Sequence, residues 1–282
     1  MPIKLVSSFL LGFLVFMTLG CLEKEPVPGC DSGGAGIENN PHCGSGGPGN
    51  GGGNPSSQII GQLDTDFGVN GVRSIPVGIN WDNSARIVIQ ADGKIIGVGY
   101  SSDGAVVKTT IVRVDSTGAI DSTFGASGVV RVDFGGNPDQ FFGVGVQSDG
   151  KILAVGNSGN GDFDIALSRH LVSGALDNTF DSDGKVITNI GPADDSAVDI
   201  VIQSDGKILV AGQSNNGTDS DFALVRYNSD GSLDTSFGTG GKVTTPVGAG
   251  EDLIRAVSLQ TDGKIVVAAR SHNGSNYDFA VS

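Results

Sequence analysis

The stretch Gln203-Ser204-Asp205-Gly206-Lys207-Ile208-Leu209-Val210-Ala211-Gly212 decides how this chain is read. Its Asp-Gly step sits between two apolar runs and so signals a tight hairpin, since a type I′ turn wants positive φ at both central positions. The step recurs as Asp92-Gly93-Lys94, Asp149-Gly150-Lys151 and Asp262-Gly263-Lys264. A second marker precedes each by 29 residues: Leu63-Asp64 with Phe67-Gly68, Ile120-Asp121 with Phe124-Gly125, Leu176-Asp177 with Phe180, and Leu233-Asp234 with Phe237-Gly238. The only change in length is one residue, in the loop around Asn157 to Asp162. A constant core whose variation is confined to one loop is what a packed structural unit with surface connections shows.

The third copy shows the strands most plainly. Lys185–Thr188, Ala197–Ile202, Lys207–Ala211 and Phe222–Arg226 are four short β-rich runs, which predicts one four-stranded sheet per repeat. Continuous apolar runs in the middle two strands call for cover on both faces, as when sheets stack around an axis. The expectation is an all-β protein: a β-propeller of four tandem four-stranded blades, as a closed ring or an open arc. The repeats run over about 63–119, 120–175, 176–232 and 233–282 within a domain spanning 58–282. The fourth copy ends at Ser282, one residue before the place of Arg113, Arg169 and Arg226 in the others.

Composition agrees with short strands and tight turns. Of 282 residues 46 are glycine and only two are methionine. A formal net charge of -14 and the absence of a Lys/Arg cluster argue against nucleic acid as a partner. At the N-terminus, Lys4 precedes an apolar run from Leu5 to Leu19, short for a membrane span and well sized for the core of an export signal over residues 1–20. The run ends Met17-Thr18-Leu19-Gly20-Cys21, which resembles a bacterial lipobox and makes Cys21 the expected lipidation site. Thr18 stands where a leucine is usual, and cleavage without lipid is the alternative. Residues 21–57 are rich in Gly, Pro, Asn and Ser and cannot bury enough apolar surface to order. They are expected to form a disordered tether with a reach of about 30 to 36 Å. Cys30 and Cys43 lie within it as a candidate disulfide pair, and no cysteine falls in the repeats. Localisation is expected to be the bacterial cell envelope, with the membrane engaged through the lipid anchor.

Three motifs carry a family resemblance: Leu233-Asp234-x-x-Phe237-Gly238-x-x-Gly241-Lys242-Val243, the Gln203–Gly212 stretch and Phe222-Ala223-Leu224-Val225-Arg226-Tyr227-Asn228-Ser229-Asp230-Gly231. Together they resemble the delta-60 repeat, over Leu63 to Ser282. The resemblance implies a β-propeller of bacterial exported proteins and assigns no activity.

Asp82, Asp139, Asp195 and Asp252 each stand eight residues before a recurring glutamine (Gln90, Gln147, Gln203, Gln260). Four carboxylates related by a ring axis could bind Ca²⁺, because hard cations take oxygen ligands. Their other reading is structural, as strand-entrance aspartates that accept backbone N–H groups. Asn228, Asp230 and Asp234 lack the ligand order and terminal glutamate of a calcium loop. Arg113, Arg169 and Arg226, with Asp64, Asp121, Asp177 and Asp234, read as structural pairs or turn anchors that every blade needs. Residues that break the repeat carry more functional information. Trp81, whose counterparts are Pro138, Asp194 and Glu251, is expected on a loop at a blade entrance, where an aromatic can anchor a ligand. His170, in the place of Tyr227, is expected at the rim of a sheet, and His272 in a solvated loop.

No motif for phosphate binding, metalloprotease chemistry or a nucleophile with its base is present. The chain therefore reads as a tethered binding or scaffold module for an unidentified protein or glycan, with no cofactor beyond possible Ca²⁺. Two alternatives stand beside it: a carbohydrate-active hydrolase or lyase using channel-mouth carboxylates, and a truncated fragment of a longer propeller protein.

Overall fold

The computed structural model describes residues 63–159 and 161–282. The signal, Cys21, the Cys30–Cys43 pair and the tether lie outside the described residues.

All fifteen elements are β-strands. Blade 1 is β1 (Trp81–Ile89), β2 (Ile95–Ser102), β3 (Val107–Val114) and β4 (Val129–Val132). Blade 2 is β5 (Asp139–Val146), β6 (Ile152–Gly159), β7 (Phe163–His170) and β8 (Lys185–Thr188). Blade 3 is β9 (Asp195–Ile202), β10 (Ile208–Asn215), β11 (Ser220–Tyr227) and β12 (Lys242–Thr245). Blade 4 is β13 (Asp252–Leu259), β14 (Ile265–His272) and β15 (Tyr277–Val281). Each sheet is an antiparallel meander in chain order, and the four sheets stack as blades of a β-propeller.

Two details correct the sequence reading. First, Lys185–Thr188 does not open the sheet of its own repeat. It pairs with β7 of the preceding blade, through Ala166↔Ile187 and Leu167↔Val186. The sequence period and the sheet are therefore out of phase, and among the described residues blade 4 has three strands where four were expected. Tandem motifs fix the period of a repeat but not its starting point, so only strand pairing reveals the phase. Second, the Asp-Gly hairpins are not type I′. Gly206 alone takes positive φ (83°), its N–H donates to Gln203 O at 2.9 Å, and Gln203 N–H donates to Lys207 O at 2.8 Å. This is a type I turn closed by a left-handed glycine, the longer of the common hairpin solutions. Asp205 serves through its side chain, with Oδ1 accepting Lys207 N–H at 3.1 Å.

Three apolar clusters hold the blades together. Ile96, Val98 and Ile111 of blade 1 pack on Phe141, Val144 and Ile152 of blade 2. Leu153, Val155 and Leu167 of blade 2 meet Ala197, Ile200 and Ile208 of blade 3. Leu209, Ala211 and Phe222 of blade 3 meet Ile254, Val257 and Val267 of blade 4. Among the described residues no such cluster joins blade 4 to blade 1. Ile87 and Ile89 are accordingly 63% and 66% exposed, whereas Val144, in the place of Ile87, is 8% exposed.

Candidate ligand-binding site

The repeated polar residues are absorbed by the scaffold. Arg113, Arg169 and Arg226 each donate from Nε to the aspartate eight residues on, Asp121, Asp177 and Asp234, at 2.8, 2.8 and 2.7 Å. The turn lysines Lys94, Lys151 and Lys207 reach the same carboxylates at 3.1, 3.2 and 2.9 Å. Each guanidinium also lies 4.4 to 4.6 Å over the marker phenylalanine, Phe124, Phe180 or Phe237. Arg113 continues into the next blade, donating to Val172 O at 2.7 Å, and Arg169 does the same to Ser229 O. Blades 1, 2 and 3 thus each have a knot of turn, strand and marker, and the knots of blades 1 and 2 also reach the next blade. These contacts hold the three aspartates well below the usual carboxylate range. For Asp121 the Thr123 hydroxyl leads, for Asp234 the Lys207 ammonium, and for Asp177 the Thr179 and Lys151 hydrogen bonds overcome an opposing cost of burial.

The candidate calcium ligands are likewise occupied. Asp82 accepts the N–H groups of Val77 and Gly78 at 2.9 and 2.7 Å. Asp195 accepts Ile190 N–H at 2.5 Å, and Asp252 accepts Val247 N–H at 2.6 Å. Asp139 accepts Phe134 N–H at 3.1 Å, the Ser158 hydroxyl at 2.5 Å and the Lys108 ammonium at 3.1 Å. Each carboxylate accepts backbone N–H groups of the loop before its strand, and among the described residues no three His, Cys, Asp or Glu side chains converge as a metal-binding group. Asp230 and Asp234 are also taken, by the Ser232 and Ser236 hydroxyls, and Asn228 donates to Ser232.

Three single residues lie elsewhere than expected. Trp81 is the first residue of β1, paired with Ser102, and its half-exposed ring meets Tyr100 edge-on at 5.6 Å. His170 is fully buried at the end of β7. Its Nδ1 lies 3.0 Å from Gly174 O and its Nε2 2.9 Å from Ser168 Oγ. Burial pulls the His170 imidazole down to about 4, against the opposing hydrogen bond to Gly174. His272 ends β14 and stacks edge-on against Tyr277 at 5.0 Å, which is more order than a solvated loop implies.

One set of residues that differ from copy to copy gathers at the axis. The first strand of every blade carries one β-bulge, between Ser84 and Arg86, Phe141 and Gly143, Ala197 and Asp199, and Ile254 and Ala256. A bulge bends its strand and re-aims one side chain. The four extra residues are Ala85, Phe142, Val198 and Arg255, all different, and all four line one cavity of about 390 Å³ together with Arg86, Ser196 and Gln213. That volume lies within the ~300 to 1,000 Å³ of small-molecule clefts. Arg86 sits 3.5 Å from Asp199 Oδ1 and 3.5 Å from Arg255 O, while Asp199 Oδ2 accepts Val257 N–H at 3.0 Å. Blades 1, 3 and 4 are thereby tied across the axis. Gln213 Oε1 is buried without a partner among the described residues, as is Oδ1 of Asn157, whose amide donates to Ser196 Oγ at 3.3 Å. Asn157 is only 7% exposed. The sequence reading missed this set because a bulge leaves no signature that separates Val198 or Phe142 from ordinary strand residues. The available signal was that positions between the conserved-spacing markers differ in chemistry from copy to copy.

Residues 90–124, 147–180 and 203–237 match a family described as a domain of unknown function (DUF5122) beta-propeller. Each matched segment begins at the turn glutamine and ends at or beside the marker phenylalanine, so it spans the two inner strands and the ionic knot. Among curated proteins none matches the sequence. Solved structures with a similar course include an endo-arabinase from Bacteroides thetaiotaomicron, at 13% identity and a TM-score of 0.39 over 70% of this chain and 72% of that one. An α-L-arabinanase from Cellvibrio cellulosa aligns at 10% identity and a TM-score of 0.34 over 69% and 71% of the two chains. A mannose phosphorylase from Leishmania mexicana aligns at 12% identity and a TM-score of 0.37, over 72% of this chain but only 63% of its own length. With strand order, stacking and matched segments in agreement, the chain is a repeat protein of the β-propeller type.

Proposed function

We propose that this chain is an exported ligand-binding module, held at a membrane by a lipid on Cys21 and presenting its axial cavity to a small ligand or a terminal group of a glycan. One observation carries the binding reading: the extra residue at the bulge differs in every blade and all four of these residues line one axial cavity, while the repeated arginines and aspartates are consumed by the scaffold. A module whose blades only had to pack would have no use for an Ala, a Phe, a Val and an Arg at one equivalent position. The hydrolase alternative needs two carboxylates flanking a scissile bond. None of the described residues lining the axial cavity is a carboxylate.

A panel of cell-envelope glycans and monosaccharides, offered to the full chain and to Phe142→Ala, tests the binding reading. The expected result is retention of at least one class by the wild type and its loss in the variant at unchanged melting temperature. Equal retention by both proteins, or none by either, overturns it. The anchor is tested by detergent partitioning, with the wild type expected in the detergent phase and Cys21→Ala in the aqueous phase. Stable attachment needs more than one acyl chain.

A further inference from the structure

We propose that the axial cavity takes a carboxylate-bearing polyhydroxy ligand, a sugar acid, with Arg255 as the cation that meets the carboxylate. This rests on the binding-module reading above and narrows it to one ligand chemistry.

The charges around the cavity point to an anion. The protein is acidic, yet two of its eight arginines, Arg86 and Arg255, line the cavity, and a third, Arg270, acts electrostatically on Arg255. Arg113, Arg169 and Arg226 are consumed by the ionic knots, and Arg131 is paired with Asp103. Arg86 is shared with Asp199. Among the described residues, Arg255 and Arg270 have no carboxylate within 4.0 Å, and their mutual repulsion, after the cost of burial, lowers the proton affinity of Arg255. Arg270 is committed to Tyr277, lying 4.2 Å over its ring, and Tyr277 in turn donates to Glu251 Oε2 at 2.5 Å. Arg255 is the guanidinium left facing the cavity. A guanidinium fork matches a carboxylate with two parallel N–H donors.

The neutral groups supply the rest. Gln213 lines the cavity and brings an amide to it; its buried Oε1 has no hydrogen-bond partner among the described residues, as is also true of Gln90, Gln147 and Gln203. Ser196 Oγ lies beside Gln213 and can accept or donate. Phe142 gives an apolar wall, its ring braced edge-on by Tyr100 at 6.1 Å. A carboxylate, hydroxyl groups and an apolar face are combined in a hexuronic acid.

The test titrates D-glucuronate and D-glucose into the full chain, into Arg255→Gln and into Arg255→Lys, by calorimetry. Arg255 is exposed, so all three proteins should melt together. The expected result is glucuronate binding by the wild type, weakened at least tenfold in Arg255→Gln, partly restored in Arg255→Lys and weakened by salt. Glucose should bind at least tenfold more weakly. Equal binding of the two sugars, or glucuronate binding unchanged in Arg255→Gln, overturns the sugar-acid assignment. So does absence of glucuronate binding while the glycan panel still shows binding that depends on Phe142, and the binding-module reading then stands. No binding of any probe, in calorimetry and panel alike, removes both.

Discussion

At the scale of single residues, ionisable groups divide by whether they repeat. The knot aspartates are buried and paired, so removing one partner strands the others in a low-dielectric site. Asp177→Asn should cost about 3 kcal/mol, read as a lower urea midpoint at unchanged slope. The same groups set the acid limb. Their folded-state affinity for protons is depressed, so they stabilise the fold fully above the ordinary carboxylate value of about 3.9 and lose that contribution as pH falls below it. His170 acts earlier. Buried neutral with its titration at about 4 against 6.5 when unfolded, it favours the unfolded state as pH falls through that window, by about 3 kcal/mol in full. In His170→Phe, stability between pH 6.5 and 4 should lose this slope while the decline below pH 4 remains. A mutant profile that follows the wild type through the window would show that His170 is charged in the fold. The arginine–aspartate pairing was legible in the sequence, because equal spacing in three copies leaves little but a structural role. The burial of His170 was not, since its partners Ser168 and Gly174 become neighbours only once the strand turns.

At the scale of strands, the bulges decide both packing and site. Where β9 bulges at Val198, the chain swings close to β10, and a Cβ on Gly212 would lie 1.9 Å from Ser196 O. Gly212→Ala should therefore destabilise by about 2 kcal/mol, because the β9–β10 backbones must move apart to admit the methyl group. Blade 4 already carries Ala269 at the equivalent position, so Ala269→Gly should bring no comparable gain or loss beyond about 1 kcal/mol. Thermal melts of the two variants compare them directly. Strand existence and hairpin position were written into the apolar runs and the Asp-Gly steps. Bulges were not, because a single extra residue is a displacement of pairing, and pairing partners are a property of two segments together. The axial cavity therefore stayed hidden although each of its residues was in plain view.

At the scale of the whole molecule, each blade is completed by its neighbours. The same register position is solvent-facing in blade 1 and enclosed in blade 2, at Ile87 and Val144. Ile87→Asp should alter stability by no more than about 0.5 kcal/mol, whereas Val144→Asp should cost about 3 kcal/mol or more by burying an unpaired charge between two sheets. Similar losses from both would mean that blade 1 is covered in solution. The blade count was legible from the period. Which four strands share a sheet was not.

Handing the last strand of each sheet to the following sequence period has a consequence for how such an array can be dissected or lengthened. A cut between Val132 and Asp139 parts two sheets without breaking a strand ladder, whereas a cut between Ala119 and Ile120 leaves β3 with an unpaired edge. Inserting a whole period at either place, by contrast, restores the same succession of donors and acceptors. The array can grow by copying at any point along its length, because every junction already has the form that the copy will need.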